Sequence, residues 1–324
     1  MEFDWQYFTQ FVIIGISTGA LVALIALGYT LVYGIIELIN FAHGEVFMMG
    51  AFFATTFVTI TGVTNESSGQ IIILTIFAGL ILSMIFSGVL NAGIDRLAYR
   101  RLRNAPRLAP LIAAIGISFI LQNIGIYWHG SNPFTPPNII PSEYRSYNIL
   151  TEWFNFDTTI RFRLLDLFVI GTTIPLLILL SWFVYRTRIG TAMRATAQDR
   201  EAAALMGIDI NRTIAVAFLL GGSLAGAAGM VALYYNNSAR FQMGFQYGLY
   251  AFTAAVLGGI GNLGGAVAGG LILGLIWSMS DGFIPTYVPG WGAQWTNSVI
   301  FGILILVLVF RPSGLFGHAT TDKV

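Results

Sequence analysis

The chain has 324 residues, of which 56% are hydrophobic and 10% charged, with a net charge of +1 and a mean hydropathy of +0.75. Soluble domains carry about 25% charged residues, so this composition excludes an ordinary soluble enzyme or nucleic-acid-binding protein and indicates an integral membrane protein. The sequence holds no cysteine, which excludes disulfides and thiolate metal sites.

The first ten residues, MEFDWQYFTQ, are acidic and lack the basic region of a cleavable signal peptide, so the first apolar run is expected to be retained. Apolar segments follow near 11–33, 46–61, 71–90, 111–130, 164–185, 213–235, 249–280 and 296–310. About 20 apolar residues are needed to cross a bilayer as a helix. The runs are continuous rather than alternating, which favours helices over a barrel, and lipid tolerates no third solution. The run 249–280 is too long for one simple span, and its middle reads GGIGNLGG, Gly258 to Gly265. The expected fold class is therefore all-α: a polytopic bundle of eight to ten transmembrane helices forming a single transmembrane domain over 1–324. The 37 glycines suit helices that approach one another closely.

Between the first two runs lies INFAHGEVFMMG, Ile39 to Gly50. Ionisable groups at membrane depth are costly and face the protein interior or a wet path. One reading makes Asn40, His43 and Glu45, with Glu37 upstream, part of the lining or gate of a translocation path. The other places them near the inner interface, hydrated or held in hydrogen-bonded packing. On a helix, positions 37, 40 and 44 share a face with His43 nearby, whereas Glu45 points elsewhere. A metal is not expected, because His43 and Glu45 supply two ligands, His129 and His318 belong to other regions, and zinc takes three or four protein ligands. The G-x5-G spacing of Gly44–Gly50 recurs at Gly264–Gly270. Both are read as glycine-containing interruptions of two weakly related halves, although so many glycines also produce such spacings by coincidence.

Orientation follows from the arginines. Arg96, Arg100, Arg101, Arg103 and Arg107 fall in one loop, and Arg186, Arg188, Arg194, Arg200 and Arg212 in another. With Arg311 and Lys323, 12 of the 16 basic residues lie on one side, which is assigned to the cytoplasm. The N-terminus is then outside, the C-terminus inside, and the segment 131–163, with Pro133, Pro136, Pro137, Pro141, Trp153 and Phe154, forms an outer cap.

The loop RATAQDREAAALMGIDINR, 194–212, is the most polar inner region. Glu-Ala-Ala-Ala-Leu-Met favours a short helix, Gly207 is a natural stop, and Gln198 and Asp199 stand where negative groups complement a helix dipole. Such a helix between two spans offers a docking surface; an ordinary amphipathic connector is the plainer alternative. The cluster Gly258, Gly259, Gly261, Asn262 and Gly264 is read either as close packing or as an unwound stretch beside the path. The loop Asp281 to Trp295 is placed outside, as an aromatic belt or as a receiving surface for a binding protein.

With these pieces in place the chain resembles the permease subunits of branched-chain amino acid ABC importers, the LivH-like type of inner-membrane component. The resemblance rests on ALIALGYTLVYGIIELINFAHGEVFMMGAF (Ala23 to Phe52), RATAQDREAAALMGIDINRT (Arg194 to Thr213), AFTAAVLGGIGNLGGAVAGGLILG (Ala251 to Gly274) and RPSGLFG (Arg311 to Gly317). The pattern E-A-A-x-x-x-G, carried by Glu201, Ala202, Ala203 and Gly207, resembles the ATPase-coupling loop of such permeases; the Leu-Pro pair of the extended pattern has no counterpart here. The resemblance implies a second related permease, two cytoplasmic ATP-binding subunits, an extracytoplasmic substrate-binding protein and import of branched-chain or other neutral amino acids across a bacterial-type plasma membrane. The chain itself carries no G-x-x-x-x-G-K-[ST] phosphate loop, so it is expected to be a transport subunit with no cofactor and no enzymatic activity of its own. The alternatives are an ABC permease for urea or short amides, and a stand-alone ion-coupled secondary transporter.

Overall fold

The structure is a computed structural model that describes residues 4–36, 40–103, 105–106, 108–145, 147–154 and 159–317. Glu37, Arg107, His318 and Lys323 lie outside the described residues. Among the described residues there are no strands, and eight helices are long and apolar enough to cross a membrane. These are α1 (Trp5–Ile36), α2 (Ala42–Thr61), α3 (Gly69–Leu102), α4 (Leu108–His129), α7 (Leu164–Arg186), α10 (Ile210–Asn236), α12 (Leu263–Tyr287) and α13 (Ala293–Phe310). Short helices α5 (Ser142–Arg145) and α6 (Ile149–Phe154) follow α4, and α8 (Arg188–Gln198) and α9 (Arg200–Leu205) follow α7. One further apolar helix, α11 (Met243–Gly258), is 16 residues long and precedes α12. The region 249–280 is thus two pieces, as its glycine-rich middle predicts.

Helices that are apolar all round belong at the centre of a bundle. α1 is buried on every side from Gly19 to Val32, and α2 and α10 stand beside it. α3, α4, α7 and α13 form the periphery and keep rows of exposed apolar side chains, among them Ile73, Leu74 and Phe77 on α3 and Leu306, Val309 and Phe310 on α13. In a bilayer those rows face lipid or a neighbouring subunit rather than water.

Small residues set the spacing of the centre. A carbon added at Gly226 of α10 would strike the Ser83 carbonyl of α3, and one added at Gly222 would lie 2.5 Å from Asn91 Cβ. Close backbones of this kind permit direct hydrogen bonds between helices: Asn91 Nδ2 donates to the Phe218 carbonyl at 2.7 Å and Ser87 Oγ to the Val46 carbonyl at 3.3 Å. α1 and α12 meet in the same way, antiparallel, with Gly15 and Gly19 against Leu275 and Leu271. The repeated spacings Gly44–Gly50 and Gly264–Gly270 do not interrupt anything. Both run within continuous helix, because their glycines are spent on helix contacts: Gly44 abuts Gly244 and Gly248, Gly50 abuts Gly226, and Gly270 abuts Ala23.

The bundle has two distinct ends. One gathers the ends of α1 and α3, the turn between α11 and α12, and α8–α9. Arg200 Nη2 donates to the Ile35 carbonyl there at 3.1 Å, Arg103 pairs with Asp95 at 2.7 Å, and Gly261 lies against Gly34. The other end carries the start of α1, the end of α10 and the segment after α4. Phe134 and Ala239 exchange two backbone hydrogen bonds of 2.9 Å, and Gln10 is bonded to both backbone groups of Arg161.

Candidate functional site

The polar cluster of the first loop is resolved into three separate contacts. Asn40 Oδ1 accepts a hydrogen bond of 2.8 Å from Tyr99 Oη on α3. His43, in the first turn of α2, turns its ring edge-on to Tyr29 of α1, with centroids 4.7 Å apart. Gly28 makes room for it, since a carbon added there would fall 2.5 Å from His43 Nε2. Neither ring nitrogen makes a well-formed hydrogen bond. Glu45 points away from both, toward α4: its Oε1 accepts from Ser118 Oγ at 3.0 Å and from Gln122 Nε2 at 2.8 Å. Its Oε2 lies against Gly244 of α11 without a hydrogen-bond partner.

All three side chains are buried, with Asn40, His43 and Glu45 exposing 3%, 1% and 0% of their surface. They are therefore not a hydrated patch at the interface, and they do not converge on one point. They fasten the first turn of α2 to α1, α3, α4 and α11 at once. Ser118 and Gln122 were not singled out from the sequence. Their signal is present there: a serine and a glutamine four apart in LIAAIGISFILQNIGIYW, which is one polar stripe on an otherwise apolar helix.

The glycine cluster forms a hairpin turn between antiparallel helices. Gly258 touches the Gly265 backbone, closer than any side chain permits, and Gly259 and Gly261 adopt φ of +101° and +92°. That left-handed region is open to glycine at little cost. Asn262 caps α12 by accepting from Gly265 N at 3.0 Å, and its Nδ2 donates to the Phe316 carbonyl at 3.0 Å. The carbonyls of Leu257 and Gly258, which the end of α11 would otherwise leave unpaired, accept from Leu315 N at 2.8 Å and Phe316 N at 3.1 Å. The segment Arg311–Gly317 is thus laid over the turn. Gly264 keeps ordinary space around it.

The short helix after α8 is capped at both ends. Asp199 accepts from Glu201 N at 2.9 Å and Ala202 N at 3.0 Å. At the far end Gly207 sits at φ +83°, with Gly207 N and Ile208 N returning to the Ala204 and Ala203 carbonyls at 3.0 and 3.1 Å. Only Ala203 of this helix is buried, whereas Glu201 and Ala202 are exposed and Leu205 and Met206 stand out at 89% and 84%. Beside it lies a groove of about 460 Å³, lined by Ile35, Ile36, Arg103, Pro110 and residues 196–201. Arg103 and Pro110 could not be placed there from the sequence, since they come from the distant end of α3 and the first turn of α4.

Comparison with known proteins gives a consistent result. Residues 11–309 match the family described as the permease component of the branched-chain amino acid transport system. The chain is 38% identical over 319 residues, 98% of each protein, to the high-affinity branched-chain amino acid transport system permease protein BraD of Pseudomonas aeruginosa. It is 35% identical over 324 residues, the whole of both proteins, to LivH of Escherichia coli K12. A probable branched-chain amino acid permease of Methanocaldococcus jannaschii is 27% identical over 92% of this chain and 89% of its own length. No solved structure matches.

Proposed function

Since the chain belongs to the branched-chain amino acid transport permease family, we propose that it is one of two membrane subunits of an ATP-driven importer of branched-chain or other neutral amino acids. Two ATP-binding subunits dock on its cytoplasmic face, a second related permease completes the path, and an extracytoplasmic binding protein delivers substrate. The end that carries α8, α9 and ten arginines of the described residues is the cytoplasmic one by the positive-inside rule, which puts the N-terminus outside and the C-terminus inside, in a plasma membrane of bacterial type.

The observation that carries this reading is α9. A helix of six residues whose last residue, Leu205, and the Met206 that follows it stand exposed is unfavourable alone, because each exposed apolar side chain forgoes about 1.5–3 kcal/mol of burial. A partner with an apolar groove removes that cost, and Glu201, Ala202, Ala203 and Gly207 then form the ATPase-coupling contact. Arg200 ties this helix to the end of α1, and Tyr29 and Gly28 of α1 hold His43. A displacement of α9 is therefore passed along α1 to the first turn of α2, where Asn40, His43 and Glu45 act as the gating contacts. The turn Gly258–Gly264, with Asn262, closes the cytoplasmic end beneath the C-terminal segment and moves with it.

The test is reconstitution of the chain with its native partners in vesicles, followed by ATP-dependent uptake of labelled leucine and of urea. Leucine uptake that requires ATP, the ATPase subunits and the binding protein is expected. Uptake by this chain alone, or of urea in preference to leucine, refutes the reading.

A further inference from the structure

At the end opposite α9 the central helices diverge around a cavity of about 550 Å³. Its walls come from α1, α10, α11, α12 and the segment before α7. Three features set it apart from the apolar groove between α3 and α7 at the same end. First, Arg161 and Asp281 both line it, and neither is in an ion pair among the described residues. Arg163, which also lines it, is already committed to Asp166, at 3.2 Å, and lies over the Tyr235 ring. Second, its apolar wall is formed by Phe11, Ile14 and Trp277. Third, its floor is closed by Tyr247, which accepts from Asn236 Nδ2 at 2.9 Å and lies tilted against Phe47 with centroids 5.2 Å apart. Phe47 lies two residues from Glu45 on α2, so the floor separates the cavity from the buried gating contacts.

Opposite charges facing one apolar wall match one class of ligand, a zwitterion with an aliphatic side chain. We infer that this cavity is an outer vestibule for a neutral α-amino acid, with Arg161 binding the carboxylate, Asp281 the ammonium group, and Phe11, Ile14 and Trp277 the side chain. Pockets of this size with few convergent polar groups are typical of small-molecule sites, and a guanidinium is the donor best matched to a carboxylate. Tyr247 is then the inner lid of the vestibule. The inference rests on the reading of the chain as an amino acid permease and adds where, on this subunit, the substrate is first held.

The experiment uses the complete permease–ATPase complex in detergent, without the binding protein, so that binding by that protein cannot mask the site. Binding of labelled leucine is measured by equilibrium dialysis, with unlabelled leucine, leucinamide and isocaproate as competitors, and the same preparations are assayed for uptake after reconstitution with the binding protein. Leucine is expected to compete, and leucinamide and isocaproate, each lacking one charge, to compete at least about tenfold less well. Arg161→Gln and Asp281→Asn each weaken binding about tenfold or more, the loss of one charge-assisted hydrogen bond. Arg161→Lys retains most of it, and Glu66→Gln, on the exposed loop after α2, changes nothing. Arg161→Gln also abolishes the preference for leucine over leucinamide, which general loosening of the fold would not do. A complex that imports leucine yet binds none in this assay, or whose binding is untouched by either substitution, overturns the vestibule. A complex that imports no neutral amino acid overturns the function on which it rests.

Discussion

Arg200 reaches from the first turn of the short exposed helix to the main-chain carbonyl of Ile35, 3.1 Å away, in the last turn of the central helix α1. That carbonyl is one of four that a helix end leaves without an internal partner. A guanidinium satisfies it well and also complements the helix dipole. The bond joins the exposed helix, the proposed docking surface, to a helix that runs through the centre of the protein. Replacing Arg200 with alanine should leave assembly and basal ATPase activity intact and lower the amino acid carried per ATP hydrolysed by about tenfold or more, the worth of one charge-assisted bond. Parallel assays of uptake and phosphate release in vesicles measure this, and an unchanged ratio removes Arg200 from the relay.

The exposed helix itself gives a sharper pair of variants. Proline at position 207 cannot adopt the φ of +83° found there, so Gly207→Pro should unwind the end of α9 and uncouple hydrolysis from transport. Glu201→Lys reverses a charge beside the apolar tip without disturbing the Asp199 cap, which uses only the backbone of residue 201. Both should reduce co-purification of the ATPase subunits and abolish leucine uptake. Full uptake in both would show that the ATPase docks elsewhere.

Glu45 is expected to act through hydrogen bonds rather than through charge, because its neighbours among the described residues are the neutral donors Ser118 and Gln122. Glu45→Gln keeps an acceptor in the same place and should preserve both melting temperature and uptake. Glu45→Ala leaves the buried Ser118 hydroxyl unpaired at a cost of about 1–3 kcal/mol and the half-buried Gln122 amide without its acceptor, and should lower the melting temperature of the purified subunit by several degrees. Loss of uptake in Glu45→Gln with an unchanged melting temperature would instead assign the carboxylate charge a direct part in gating.

At the hairpin turn, a side chain on Gly259 would meet Gly317 N at 2.5 Å and Ser313 O at 3.1 Å, on a backbone with φ +101°. Gly259→Leu should therefore expel Arg311–Gly317 from the turn and stop transport. Limited proteolysis reads this directly, as faster cleavage within 311–317 than in the parent. Asn262→Ala removes both the cap of α12 and the bond to Phe316, and should give a milder form of the same effect.

Much of this protein is determined by the order of its residues alone. Apolar runs near the thickness of a bilayer set the helical class and the approximate spans. The arginine-rich loops divide the chain between two ends, and the paired signals Asp199 and Gly207 mark a short helix, because capping involves neighbours within a few residues. Even the discontinuity near 260 is legible, since only a glycine-rich stretch divides an apolar run of that length.

What the chain order leaves open is whatever depends on residues far apart in sequence. The polar triplet Asn40, His43 and Glu45 suggests a cluster, yet each side chain leaves in a different direction, because successive residues on a helix are turned by 100° and meet different neighbours. The partners are 59 to 77 positions away at Tyr99, Ser118 and Gln122. The glycine break reads as a stretch of free backbone until the tail, some fifty residues on, is found hydrogen-bonded to it. Arg161 and Asp281 look like unrelated loop charges, and they line a common cavity only because the fold brings α1, α10, α11, α12 and the segment before α7 together at that end. Backbone order is local and can be read from periodicity and caps; the pairing of buried polar groups is set by helix packing, and only the folded bundle decides it.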